Sequence, residues 1–266
     1  MNEDLFTFVS RQKYLSDIPF IFGRNIFEYD IRQANIHALL ASNIITRSEF
    51  EYLSLLPKEL RERDIGMRIR DNKVIYAAIQ DIICKAKYEF VERNNISPDR
   101  ILRIANDALY IIAPVPVDTD VVIINDVPIT FALKNNFTNY IKLGNLLIFC
   151  NTMGEYWNVD VKGISESKLI YHKDMISAIC GIIDARNNGG VTTAITEFND
   201  LYNKYIKFEL PVGYYRELNG DSMFRITSKE NFEFCLITID EKDKNQINIS
   251  YNQSILRTLY SYLLQS

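Results

Sequence analysis

The sequence is poor in the residues that most often advertise chemistry. It holds four cysteines and two histidines in 266 residues. Cys84, Cys150, Cys180 and Cys235 lie far apart and form no CxxC pair, which argues against a zinc site or a redox dithiol. Thiols spaced this way read as buried and reduced. His37 and His172 sit in no partner pattern, so a Ser/His/Asp or Cys/His nucleophile system has few candidates. No apolar run reaches the roughly 18 residues that a membrane helix needs. The opening stretch, MNEDLFTFVSRQKYLSD, carries acid where a secretion signal carries positive charge, and it has no apolar core. The chain therefore reads as cytoplasmic, with no membrane partner. An excess of positive charge is also missing. Lys and Arg number 30 against 34 Asp and Glu, a net charge of −4. That argues against gripping nucleic acid by bulk charge and leaves only a local basic groove.

What is present is ordinary globular material. Hydrophobic residues make up 47% and charged residues 24%, with 16 Tyr and 15 Phe to fill a core. The length fits one large domain or a main domain with an appendage. No tandem repeat or low-complexity linker interrupts it. The Asn- and Ile-heavy composition points to an AT-rich genome and fits a viral or phage protein, which would act in the host cytoplasm.

The stretch IPFIFGRNIFEYD opens with strand-type residues and turns helical near Asp30, where Ala34, Ala38, Leu39 and Leu40 follow helical spacing. RSEFEYLSLLPKELRERDIG predicts two short helices broken at Pro57, with Gly66 as a stop. Residues 73–93 carry the strongest helical stripe, through Val74, Ile75, Ala78, Ile79, Ile82, Ile83, Ala86 and Phe90. In ILRIANDALYIIAP, apolar runs flank Asn106-Asp107, which predicts a hairpin with Asp107 at its tip. Strand-like segments follow, VVIINDVPITFAL, NYIKLGNLLIFC and WNVDVKGI, and then a helix from about Lys168 to Ala185. Asn187-Asn188-Gly189-Gly190 is the clearest punctuation, and a boundary is placed after residue 187. Helices over VTTAITEFNDLYNKYI and QSILRTLYSYLLQS complete the chain.

The order strand–Asp30–helix, then helix, then hairpin–Asp107 sets two carboxylates where neighbouring strands bring them together. Such a pair can hold two Mg²⁺ or Mn²⁺ ions about 3.5–4 Å apart, which is the chemistry of nucleotidyl transfer. The set Asp30-Ile-Arg-Gln-Ala-Asn-Ile and Ile104-Ala-Asn-Asp107-Ala-Leu-Tyr resembles motifs A and C of template-dependent DNA polymerases, most closely the palm of family B. Asp30 matches the motif A aspartate, and Asp107 matches the final aspartate of motif C. Downstream, Leu133-Lys134-Asn-Asn-Phe137 resembles the family's Lys-rich motif that tracks the duplex, and Val161-Lys162-Gly163-Ile164 resembles its Lys-Gly pair. The resemblance covers roughly residues 24–170.

It implies an α+β fold. Residues 1–187 would form a palm-like domain, an antiparallel sheet with packed helices, and residues 188–266 a mixed, thumb-like region. Asp30 and Asp107 would be catalytic and bind the metal. Gln33 and Asn35 would line the nucleotide, with Asn35 near the position of the steric gate. Arg68, Arg70 and Lys73 would touch the triphosphate, and Lys134, Phe137, Lys162 and Gly163 would follow the DNA. Primer–template DNA and a deoxynucleoside triphosphate are the implied ligands. Ala105 and Ala108 depart from motif C, no fingers motif separates A from C, and no exonuclease domain precedes the palm. A second chain carrying fingers and exonuclease is therefore the implied partner.

Two other features are weighed separately. Asp118-Thr-Asp120 reads as a loop that mimics motif C. Lys204-Tyr205-Ile-Lys207-Phe208 with Tyr214-Tyr215-Arg216 reads either as a surface that stacks on nucleic acid or as the edge of a Tyr-rich core. Three readings of the whole stay open: a catalytic palm and thumb subunit, an inactive palm serving as a replication scaffold, and an unrelated α+β binding protein.

Overall fold

The computed structural model describes residues 2–151, 158–164, 172–215 and 250–266. It is a mixed α+β structure with two antiparallel sheets. The chain forms two compact units, residues 1–17 with 25–136 and residues 18–24 with 137–266.

The first unit contains α1 (Glu3–Val9), β1 (Lys13–Leu15), β3 (Ile26–Ile31), α2 (Ala34–Ala41), α3 (Arg47–Leu55), α4 (Lys58–Asp71), α5 (Lys73–Arg93), β4 (Ile101–Ala105), β5 (Ala108–Ile112) and β6 (Val121–Ile124). It also holds nearly all of β7 (Val127–Phe137). Its sheet runs β1-β4-β5-β3-β7-β6. Strand β3 reads IFEYDI, and alternation sends Phe27, Tyr29 and Ile31 to the helix-packed core while Glu28 and Asp30 take the opposite face. Helix α5 spans the residues its stripe predicts and buries Ile79, Ile82, Ile83, Ala86, Phe90 and Val91. The Phe90 ring stacks on Phe131 with centroids 4.1 Å apart and leans on Tyr29 at 5.3 Å. Asn106 adopts φ +53° in the β4–β5 turn, a left-handed conformation that asparagine tolerates well.

Thr46 and Glu49 close a capping box at the start of α3, and the break at Pro57 falls where expected. Gly66 does not stop α4, which continues to Asp71. A mid-helix glycine costs about 1 kcal/mol relative to alanine. Burial of the adjacent Ile65 contributes about 1.5–3 kcal/mol and outweighs it.

The second unit contains β2 (Phe20–Ile21), β8 (Asn139–Leu143), β9 (Leu146–Asn151), β10 (Asn158–Lys162), α6 (Lys173–Ile206) and α7 (Ser250–Gln265). Its sheet runs β10-β9-β8-β2. The boundary expected after residue 187 lies inside α6, where Gly190 (φ 80°, ψ 179°) kinks the helix. Ile179 and Ile183 before the kink and Ala194 and Phe198 after it share one core, so the glycine pair bends the helix within a unit. The Tyr-rich segment belongs to that core as well. Tyr205 and Tyr215 are buried and stacked at 4.8 Å, and Phe208 stacks on Tyr215 at 5.3 Å. Arg216, Cys235 and the expected helix start at Lys168 lie outside the described residues.

Because Phe90 touches both Tyr29 and Phe131, Phe90→Ala is expected to destabilise the first unit by about 3–5 kcal/mol. Chemical denaturation checks this, and a loss below about 1 kcal/mol would contradict the packing described.

Candidate functional site

Asp30 stands near the end of β3 and Asp107 in the turn between β4 and β5. Strand β5 pairs antiparallel with β3, with Asp30 opposite Ala108. The Ile31 N–H donates to the Asp107 carbonyl at 3.3 Å. The two carboxylates therefore share one end of the sheet, in a cleft of about 350 Å³. Gln33 turns the chain from β3 into α2 through a left-handed conformation (φ +48°), and its carbonyl accepts from the Ile36 N–H at 3.1 Å. Gln33 and Asn35 both line the cleft. The Asn35 amide donates to Glu62 at 3.2 Å, tying α2 to α4.

The Lys134 ammonium on β7 lies 3.7 Å from an Asp30 oxygen and 3.7 Å from a Glu28 oxygen. Glu28 is only 2% exposed. It accepts from the Tyr110 hydroxyl at 2.8 Å and from the Asn135 amide at 2.5 Å. The Arg103 guanidinium covers the Tyr110 ring at 5.1 Å. On the helix side, the buried Lys87 of α5 donates to the Arg11 carbonyl at 3.0 Å, and the Asn106 N–H donates to the Gln12 carbonyl at 2.7 Å. Residues 11–12 thus brace the turn that carries Asp107.

The electrostatics follow from this crowding. Burial pushes the Asp30 carboxyl above its usual range, the charges of Asp107 and Glu28 push it further, and Lys134 pulls it back. Burial likewise raises Asp107, while its own backbone N–H, Lys134 and Lys87 lower it and Glu62 raises it. Burial lowers Lys87, offset by Cys84 and Asp107. Two partly buried carboxyls with raised proton affinity form a site that gains from an incoming cation or proton.

Of the residues expected in the site, Asp30, Asp107, Gln33, Asn35 and Lys134 meet in the cleft. Arg68 instead pairs with Asp64 at 2.7 Å and Glu49 at 3.6 Å, and Arg70 pairs with Asp71 at 3.1 Å. Lys73 is exposed at the first position of α5. None of these three lines the cleft, whose basic residues are Arg32, Lys58, Arg61 and Lys134. Lys58 and Arg61 stand three residues apart at the start of α4, on one helix face. Phe137, Lys162 and Gly163 fall in the second unit. Phe137 is fully buried against Phe149, and Lys162 pairs with Asp160 at 2.8 Å. Gly163 adopts φ +94°, and a Cβ there would overlap the Asn145 carbonyl. Thr119 of the Asp118-Thr-Asp120 loop is clasped by Asn94 through bonds of 2.8 and 3.0 Å.

Among the described residues, no helix is long and apolar enough to cross a membrane. In class, then, this is a mixed α+β protein with a cleft of paired carboxylates flanked by cations. Over residues 7–265 the sequence matches the family described as the bacteriophage PBS1 gene 130 protein, and the chain belongs to that phage family. No curated protein matches it.

A carboxyl raised above its unfolded value favours folding while protonated, and that contribution is lost as pH rises through the folded value. At pH 7 the ionised Asp107 therefore costs stability. Asp107→Asn is expected to melt above the unaltered protein at pH 7, with the gap closing as pH falls toward about 3.9. A gap that persists on acidification would contradict the buried setting of the Asp107 carboxyl.

Proposed function

We propose that this chain is a palm-like subunit of a phage DNA polymerase, in which Asp30 and Asp107 hold divalent cations for template-directed nucleotidyl transfer. The observation that carries the reading is the meeting of these two carboxylates, one near the end of β3 and one in the adjoining β4–β5 turn, in a cleft with four basic side chains. The resemblance of their flanking segments to polymerase motifs A and C supplies the reaction class.

The donor chemistry fits Mg²⁺ or Mn²⁺. Both ligands are hard carboxylate oxygens, and their mutual repulsion is relieved by a cation. Among the described residues, no group of three or more His, Cys, Asp or Glu gathers as a metal cluster. Mg²⁺ is commonly held by one or two carboxylates, with water and substrate phosphate completing its shell. When bound, such a cation supplies activation of the attacking hydroxyl and neutralisation of charge at the phosphoryl group. Arg32, Lys58 and Arg61 offer positive charge to the phosphates of a deoxynucleoside triphosphate. Asn35, anchored by Glu62, sits on the wall where the sugar would pass. A partner chain supplies the fingers and exonuclease, and Lys162 and Gly163 of the second unit are assigned to the duplex.

A second reading has its own observation. The Lys134 ammonium already sits against Asp30, and Ala105 and Ala108 depart from motif C. In that reading the chain is an inactive palm that scaffolds a replication complex.

Primer extension by the complex isolated with this chain separates the two. Asp107→Asn is expected to lower Mn²⁺-dependent incorporation by about a hundredfold or more, the scale on which lost transition-state charge stabilisation acts. Undiminished incorporation removes the catalytic reading and leaves the scaffold.

A further inference from the structure

The ammonium of Lys134 is shared equally, 3.7 Å from each of two carboxylates that differ in kind. Glu28 is a fixed seat: it is almost fully buried, its oxygens accept from Tyr110 and Asn135, and Arg103 covers Tyr110. Asp30 is 35% exposed and faces the cleft, and the Lys134 side chain is 54% exposed on a flexible stem. A cation arriving between Asp30 and Asp107 repels this ammonium. Glu28 gives the ammonium a place to go within the sheet face, because it is two residues from Asp30 on the same side of β3.

We propose that Lys134 is a resident counter-cation of the Asp30–Asp107 pair, displaced toward Glu28 when a divalent cation binds. Glu28 acts as its positioning residue. The role rests on reading Asp30 and Asp107 as cation ligands, and it differs from contact with the DNA backbone. Lys134 steadies the paired carboxylates while no cation is bound, and it competes with the cation for Asp30. It thereby sets how much free divalent ion the site needs before it fills.

The test is titration of the full-length chain with Mn²⁺ alone, followed by the electron paramagnetic resonance of free Mn²⁺. Lys134→Met removes the competitor and is expected to bind Mn²⁺ on the order of tenfold more tightly than the unaltered chain. Lys134→Arg keeps the charge and is expected to stay within about threefold of it. Lys134→Gln carries the same comparison should the Met variant fail to fold. Equal or weaker binding by the Met and Gln variants overturns the counter-cation role and leaves the cation site standing. Saturable binding by Lys134→Met alone supports the role and implies that the native lysine keeps the site closed. Absence of binding in every variant overturns both this role and the cation site beneath it.

Discussion

Antiparallel pairing of β3 with β5 is the constraint on which the first unit depends. One register places Asp30 opposite Ala108 and the Ile31 amide on the Asp107 carbonyl. The same register turns Phe27, Tyr29, Leu109 and Ile111 toward the helices. A slip of one residue would exchange the two faces, burying Glu28 and Asp30 among Phe90 and Ile83 and exposing the aromatics. Core packing and site geometry are therefore one choice. The apolar face selects the register, and the register delivers the two carboxylates to the same place.

The polar face then has a problem that packing does not solve. Glu28 and Asp30 lie two residues apart on one strand, and Asp107 arrives from the next, so three acidic groups crowd one region. Charges are tolerated in such surroundings only when paired or hydrogen-bonded. Glu28 is settled by Tyr110 and Asn135, Lys134 bridges Glu28 and Asp30, and Lys87 stands behind the Asp107 turn. The settlement is incomplete, because both Asp30 and Asp107 remain above their ordinary range. The remaining cost, burial first and like charge second at Asp30, falls on the two carboxyls that line the cleft.

The sequence made the scaffold of this site legible and its lining only partly so. Helix α5 could be bounded because its apolar stripe is long and regular. The Asp107 hairpin could be placed because Asn106 supplies the left-handed turn between two apolar strands. Lys58 and Arg61 were illegible as lining: their helix was legible in sequence, but only tertiary packing sets that face against the cleft. Arg68, Arg70 and Lys73 carry the right charge, but a helix surface satisfied the two arginines with local acids. Glu28 was missed although its signal was present, as one of two acids spaced by two in an otherwise apolar strand. The unit boundary was hidden as well. Gly189-Gly190 is a strong local signal, but division into units is decided by shared cores, and residues 18–24 cross into the second unit without any mark in composition.

The distribution of buried charge carries the last step. A core of Ile, Phe and Leu stabilises this sheet with no need for ionisable groups, yet Glu28 and Lys87 are both nearly inaccessible. They flank the same β3–β5 element from opposite sides, Glu28 on the face of Asp30 and Lys87 on the side of α5 beneath the turn of Asp107. Burying such groups is costly unless they are paired or hydrogen-bonded, as both are here. Each stands beside a carboxylate of the cleft: Glu28 shares the Lys134 ammonium with Asp30, and Lys87 holds the Arg11 carbonyl next to Gln12, which receives the Asn106 N–H of the Asp107 turn. Structural ion pairs scattered over the surface, such as Lys85–Asp81 and Lys204–Asp200, show no such convergence. Buried charge gathered around one pair of titratable groups marks a candidate functional site. It singles out this end of the sheet on physical grounds that do not depend on the resemblance to any polymerase.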